Sequence, residues 1–345
     1  MSGGDVLIST QGRVGRITLN RPKALHALTT QMCRDMTAAL LSWQGDDAVE
    51  TILLDHAGPR GFCAGGDIRA AASDIAIARD FFFTEYQLNH LLFVYPKPIV
   101  AIMDGITMGG GVGLARPARY RMATERTMFA MPEAGIGLFP DVGGGWYLSR
   151  TPDHVGLWLA LTGARIQGAD CLSLGIATHY APSDRIDALK HAILAGARPI
   201  EETLAAYCAD PGAAPLDAHR AAIANFFAGE SVEAIVDALK QDGGDWARAQ
   251  VAILATKSPQ TLKVAFRQLG LGAALASFAD EMAMEYRIAA RVLTRPDFAE
   301  GVRAVIVDKT NDPKWDPATP EGVTDALIES IFAPLPAGEE WKPLS

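Results

Sequence analysis

The sequence predicts an α/β protein built on parallel strands, followed by a mostly helical C-terminal extension. Three observations carry this. Short apolar runs at 50–55 and 99–103 each lead into a glycine-rich turn and then into helical periodicity, the alternation of parallel α/β units. From about residue 182 the strand-length runs stop, and alanine-rich amphipathic segments continue to about residue 293. The chain has 345 residues, 49% hydrophobic and 21% charged, and no low-complexity tract, enough to bury a sizeable core. Residues 1–181 are therefore read as the α/β core and 182–345 as the helical extension.

Taken in order, 6–9 and 15–19 read as strands of a hairpin around Gln11-Gly12. Thr29 is the expected N-cap of an amphipathic helix reaching about Trp43. A strand at 50–55 runs into the loop Gly58-Pro59-Arg60-Gly61-Phe62-Cys63-Ala64-Gly65-Gly66-Asp67. The helical pattern from about 80 to 95 stops at Pro96-Lys97-Pro98, where the missing N–H groups end the ladder. A strand at 99–103 precedes Met108-Gly109-Gly110-Gly111, which opens a short helix; 120–124 and 128–130 are strands, and 143–150 begins another helix.

Thirty-one Lys and Arg against 40 Asp and Glu leave a formal charge of −9, which argues against a general nucleic-acid or anionic-membrane binder. Cys33, Cys63, Cys171 and Cys208 form no CxxC pair and read as free thiols in a reducing compartment. His56, His90, His154, His179 and His191 have no metal-ligand spacing, so no metal is expected. The first twenty residues lack a signal-peptide core. The apolar stretch 98–114 is short and interrupted by Asp104. The expected compartment is the cytoplasm, or the mitochondrial matrix if a transit peptide has been removed.

The two glycine turns, Gly65-Gly66 and Gly109-Gly110-Gly111, each follow a buried strand, and parallel strand ends gather on one side of a sheet. Without a Cβ, a glycine N–H can approach a ligand closely, and the first N–H groups of a helix have no partner within it. Two such donors on one carbonyl oxygen make an oxyanion hole. Taken alone, the same glycines serve equally as tight turns or packing contacts. There is no GxxxxGK[ST] phosphate loop, and Gly111-Val112-Gly113 lacks the third Rossmann glycine.

In combination the motifs are more specific. Leu19-Asn20-Arg21-Pro22-Lys23-Ala24, Phe62-Cys63-Ala64-Gly65-Gly66-Asp67-Ile68 and Asp104-Gly105-Ile106-Thr107-Met108-Gly109-Gly110-Gly111 occur in an order and spacing that resemble the crotonase (enoyl-CoA hydratase/isomerase) superfamily. Phe129-Ala130-Met131-Pro132-Glu133, Phe139-Pro140-Asp141, Lys257-Ser258-Pro259, Met284-Glu285-Tyr286-Arg287 and Asp297-Phe298-Ala299-Glu300-Gly301 narrow this to its 3-hydroxyisobutyryl-CoA hydrolase branch. The resemblance implies a spiral of ββα units with trailing helices. It further implies an acyl-CoA substrate, hydrolysed as a step of valine breakdown, with 3-hydroxypropionyl-CoA as a second substrate. By position, Gly66 and Gly110 would supply the oxyanion donors, and Glu133 the principal carboxylate. Asp141 would be the second catalytic acid beside Glu133, and Glu85, Gly110, Glu133 and Asp141 would contact substrate. No cofactor is expected beyond the CoA carried by the substrate, and the family's habit of assembling through terminal helices leaves a homo-oligomer open.

Two departures matter. Hydratases of the superfamily carry a second glutamate three residues after the middle glycine; here that position is Gly113, so water addition by paired carboxylates is not supported. His26 stands where relatives usually carry asparagine, and is read as making a local turn hydrogen bond. A thiol leaving group, with a pKa near about 8.5, departs without a strong acid. Glu133 can then act either as nucleophile or as general base for water. Arg21, Lys23, Arg69 and Lys97 are candidates for the CoA phosphates or plain surface charge. The competing readings are another crotonase reaction on acyl-CoA (isomerase, decarboxylase or hydratase), which releases no thiol, and a non-catalytic RNA-binding relative, in which Glu133 is dispensable.

Overall fold

The computed structural model describes residues 4–344. Among the described residues ten strands are present: β1 (Val6–Gln11), β2 (Val14–Leu19), β3 (Thr51–His56), β4 (Gly61–Cys63), β5 (Ile99–Met103), β6 (Ile106–Met108), β7 (Tyr120–Ala123), β8 (Met128–Ala130), β9 (Ile166–Gln167) and β10 (His179–Tyr180). They form a six-stranded sheet of order β1-β2-β3-β5-β7-β10 and a four-stranded sheet of order β4-β6-β8-β9. β1 and β2 pair antiparallel as the expected hairpin, and β2, β3, β5, β7 and β10 pair in parallel.

The ββα repeat is explicit. β3, β5 and β7 enter the first sheet, and β4, β6 and β8, which directly follow them, enter the second. Helices Ile68–Ser73 and Ile75–Phe93 follow the first pair, helix Gly110–Ala115 the second, and a 3-10 turn with helix Gly144–Ser149 the third. This is the fold expected for the crotonase class. β10 is the last strand; every named element beyond it is helical.

By contact the chain divides into two interleaved units. Unit 1 takes the chain up to Gly66, then Leu88–Phe129 and Ile166–Asp217; unit 2 takes Asp67–Gln87, Ala130–Arg165 and the chain from Ala218 onward. The boundary read from composition, between 181 and 182, falls inside unit 1's last segment.

In unit 1, Val14, Leu53, Val100, Ile102, Tyr120 and Met122 project from the first sheet against Ile186, Leu189 and Ile193 of the helix Ile186–Ala195, a buried apolar layer. Residues of β5 are buried throughout, as parallel strands covered on both faces require. Thr29 caps helix Thr30–Gln44 as expected, accepting the Met32 N–H at 3.2 Å. In unit 2, helices Pro259–Ala274 and Phe278–Val292 start at Ser258 and Ser277, whose hydroxyls accept the Thr261 and Asp280 N–H groups. No helix among the described residues is long and apolar enough to cross a membrane.

Candidate active site

Unit 1 holds both glycine turns, and their placement follows from strand pairing. β4 and β6 are parallel neighbours, with Gly61 opposite Ile106 and Cys63 opposite Thr107, so the turns leave the same end of adjacent strands. A Cβ on Gly65 would lie 3.8 Å from the Gly110 nitrogen. Gly109 adopts φ 49°, ψ −124°, a conformation only glycine takes readily, and it starts helix Gly110–Ala115. The Gly110 N–H, in the first helical position, has no carbonyl within the helix to bond. The turn carrying Gly66 is pinned from below. The Leu28 N–H donates to the Gly65 carbonyl at 2.9 Å, and the Ala64 N–H donates to the Leu25 carbonyl at 3.0 Å.

The chain that does this pinning is organised by His26. Leu25 and His26 have φ 50° and 56°, a region that Asn and His tolerate better than most residues, which accounts for histidine at an asparagine position. The His26 ring is buried; Nδ1 accepts the Arg21 N–H at 2.9 Å, and Nε2 donates to the Ala57 carbonyl at 2.8 Å. Burial and nearby Arg21 lower its pKa, consistent with the neutral ring this pattern needs. The expected turn hydrogen bond is therefore present. His26→Ala leaves a buried N–H and C=O unpaired, and a loss of about 2–3 kcal/mol in urea unfolding is expected.

Unit 2 holds the acids. Glu133 opens the 3-10 turn Glu133–Ile136, Asp141 follows Pro140 in a glycine-bordered loop, and Glu85 lies on helix Ile75–Phe93. All three are buried. The Glu133 turn is braced by the Ser258 N–H, which donates to the Ala134 carbonyl at 3.2 Å. The Tyr86 hydroxyl donates to Asp141 Oδ2 at 2.9 Å. Glu85 Oε1 and Glu133 Oε2 have no hydrogen-bond partner among the described residues, so each has an acceptor free for a ligand or water.

Burial is the main cause of every shift in this cluster. It pushes Glu85 and Glu133 well above the usual carboxylate range, helped by the Asp141 charge, and pushes Asp141 to about 7 despite the Tyr86 hydrogen bond. Carboxyls this close in low dielectric cannot all ionise, and the remaining protons belong to the group rather than to one side chain. Sequence reasoning singled out Glu85, Glu133 and Asp141, and the structure brings them within electrostatic reach of one another. It missed Tyr86, Gln268, Glu281 and Glu285; of these only Glu285 lay in a quoted motif.

These shifts set a sign for stability against pH. A carboxyl with a raised folded pKa makes the folded state bind more protons than the unfolded one, so stability falls as pH rises. His56, lowered to about 4, and His26, His90 and His179, also lowered, act oppositely, but only below the unfolded histidine value of about 6.5. Above that value the histidines no longer contribute, and the raised carboxyls set the sign. The melting temperature of the unliganded protein is therefore expected to fall between about pH 6.5 and 8, and Glu133→Gln to flatten that slope. A melting temperature that rises over that interval would contradict this.

The candidate CoA cations differ. The Lys97 ammonium donates to the Trp43 carbonyl and, at 2.7 Å, to that of Asp46, closing the end of helix Thr30–Gln44. Arg21 donates to the Ala27 carbonyl at 2.5 Å, Arg69 donates to that of Ile306 at 2.8 Å, and Lys23 is exposed. A separate cleft of about 520 Å³ in unit 1 is lined by Arg16, His56, Asp104, Arg126 and Lys190, and includes neither glycine turn. Its cations are already paired, Arg16 and Lys190 to Asp55 and Arg126 to Asp104.

Repeated ββα units, glycine amides at neighbouring strand ends and a buried carboxylate group define an enzyme of the crotonase class. The chain belongs to the enoyl-CoA hydratase/isomerase family, whose sequence model matches residues 14–332. It is 44% identical over 346 residues to the mitochondrial 3-hydroxyisobutyryl-CoA hydrolase of Xenopus tropicalis, covering 96% of this chain and 89% of that protein. The human protein of the same name is 41% identical over 344 residues, again covering 96% and 89%. Among solved structures, a carnitinyl-CoA dehydratase from Mycobacterium thermoresistibile superposes with a TM-score of 0.92 at 43% identity, over 97% of this chain and 98% of that one. An enoyl-CoA hydratase from Rhodobacter sphaeroides 2.4.1 gives 0.90 at 38% identity, over 98% and 100%.

Proposed function

We propose that this chain hydrolyses 3-hydroxyisobutyryl-CoA to 3-hydroxyisobutyrate and free CoA, as a step of valine breakdown. The names of similar proteins point two ways, to a hydrolase and to hydratases or dehydratases. The observation that decides between them is the helix Gly110–Ala115, whose sequence Gly-Gly-Val-Gly-Leu-Ala carries no acid. The second carboxylate that water addition to a double bond requires is missing at Gly113, whereas Asp141, placed beside Tyr86, is present.

In this reading the thioester carbonyl accepts from the N–H groups of Gly66 and Gly110, which stabilise the tetrahedral oxyanion. Glu133 acts while ionised, with the shared proton on Glu85. It either attacks the carbonyl carbon, expelling the CoA thiolate and leaving an anhydride that water opens, or removes a proton from an attacking water. Asp141 holds the 3-hydroxyl, and Glu85 completes the polar wall. The thiolate takes up the proton that the water delivers, so one water is consumed for each acid and thiol released.

Release of free thiol from 3-hydroxyisobutyryl-CoA, with no loss of absorbance from crotonyl-CoA, is the expected result. Hydration of crotonyl-CoA without thiol release would sink the proposal. A single turnover in ¹⁸O water tests the covalent route: label in Glu133 requires the anhydride, because general-base attack places the label in the product acid alone.

A further inference from the structure

The loop that carries Asp141 is strained. Val142 is buried and has φ 53°, in the left-handed region where a β-branched residue is an outlier. Such a conformation costs of order 1–3 kcal/mol and persists only where its surroundings enforce it. What enforces it is a side chain from far along the chain. The Gly143 N–H donates to Glu285 Oε2 at 2.8 Å, and the Gly145 N–H donates to Glu285 Oε1 at 3.2 Å. Gln268 locks the clamp from the other side, its Nε2 donating to Glu285 Oε1 at 3.0 Å and to the Pro140 carbonyl at 2.8 Å. The residues on both sides of Asp141 and Val142 are thus tied to one glutamate–glutamine pair, itself fully buried.

Glu285 also has a close neighbour, Glu281, one turn earlier on helix Phe278–Val292 and buried as well. A Cβ on Gly145 would lie 2.1 Å from Glu281 Oε1, so the backbone of the Asp141 loop sits directly against both acids. Burial and Glu281 raise the Glu285 carboxyl, and burial raises Glu281 to about 7. The Gly143, Gly145 and Gln268 N–H groups all donate to Glu285, so its carboxyl oxygens serve as the acceptors of the clamp.

We infer that Glu285, held by Gln268, is a positioning residue: it clamps the strained loop 140–145 and thereby fixes where Asp141 meets the substrate. This rests on the reading that Asp141 holds the substrate's 3-hydroxyl. The hydrogen bonds of Glu285 run to the loop backbone and to Gln268, not to the Asp141 carboxyl. Its effect is on the placement of Asp141, and misplacement of about 1 Å in a working group is enough to cost about 10²-fold in rate.

The test compares 3-hydroxyisobutyryl-CoA with isobutyryl-CoA, which lacks the hydroxyl, by the ratio of their kcat/KM values. Glu285→Gln keeps volume and one acceptor oxygen but turns an NH2 group toward one glycine N–H, breaking half the clamp; Glu285→Ala breaks all of it. Asp141→Asn is the reference. The expected result is that Glu285→Gln lowers the ratio toward unity, as Asp141→Asn does, with the loss mainly in kcat for the hydroxylated substrate. If Glu285→Gln reduces both substrates equally while Asp141→Asn collapses the ratio, Glu285 is only a packing residue and the inference falls. If Asp141→Asn itself keeps the ratio, the assignment of Asp141 is wrong and the inference falls with it. Should Glu285→Ala fail to fold, Glu285→Gln carries the same decision, and Gln268→Leu, which removes the lock while leaving Glu285, repeats it.

Discussion

Glu133→Gln is expected to lower kcat for 3-hydroxyisobutyryl-CoA by about 10²–10⁴-fold, the range ascribed to a positioned proton-transfer group, and by more if Glu133 is the nucleophile. Several features make this variant clean. Glutamine matches glutamate in shape, so the 3-10 turn Glu133–Ile136 and its Ser258 brace keep their geometry. The carboxamide cannot take a proton or form an anhydride, yet its oxygen still accepts a hydrogen bond where Glu133 Oε2 has none from the protein. Substrate binding through the CoA moiety is left alone, so KM should change far less than kcat. Removing an acid whose ionisation burial opposes also relieves a stability cost at neutral pH, so the variant should melt no lower than the parent. Thiol release followed with a thiol reagent checks the first point, and a melting curve checks the last. A variant that keeps more than a tenth of the parental kcat would remove Glu133 from the chemistry.

The parts of the fold that were legible in the sequence are those whose pattern is local. β3 and β5 are apolar runs five or six residues long with turn residues on both sides, and the helix capped by Thr29 has a regular buried stripe of Met32, Cys33, Met36, Ala39, Leu40 and Trp43. β4 and β6 were not legible. Each is three residues long and embedded in a glycine loop, and each exists because it pairs with the other across more than forty residues of chain. The two-unit division was hidden for a related reason: each unit is assembled from three separate segments, and composition changes only once along the chain.

The site shows the same split. Gly66, Gly110, Glu133 and Asp141 stood out only as a set, through their resemblance to a family, and Glu85 alone would have passed for an acid on a solvated helix face. Tyr86 sits 55 residues from its partner Asp141, and Glu285 lies 142 residues from Gly143, so no local spacing announces either contact. Val142 was illegible in a stronger sense. Valine's own preference is against a positive φ, and the flanking backbone is tied to Glu285 and Gln268 from far along the chain. At Val142 local preference and tertiary contact disagree, and the loop concerned is the one to which the proposed mechanism assigns Asp141.

The proposed oxyanion pair admits an equally direct test, Gly111→Ala, expected to lower kcat by about 10²–10³-fold, equivalent to about 3–4 kcal/mol for the loss of one donor. A Cβ at residue 111 would lie 2.4 Å from the Cys63 carbonyl oxygen, 2.9 Å from Cys63 Cβ and 3.0 Å from its carbonyl carbon. Two of these atoms are backbone, at the strand end from which the Gly66 turn departs, so no side-chain rotation relieves the clash. The helix that presents the Gly110 N–H must instead move away from the Gly66 turn, and the two donors can no longer converge on one oxygen. Neither donor is deleted and no acid is touched, so the loss would be purely one of geometry. Overpacking of this kind also costs about 1–3 kcal/mol of stability, so unfolding must be measured alongside rate. Gly270→Ala provides the control. It lies on helix Pro259–Ala274 with nothing within 4 Å of a new Cβ, and it should keep activity while gaining about 0.4–1 kcal/mol of stability. If Gly111→Ala folds and its kcat stays within tenfold of the parent, the two glycine turns serve packing rather than the thioester, and the oxyanion assignment fails while that of Glu133 stands on its own test.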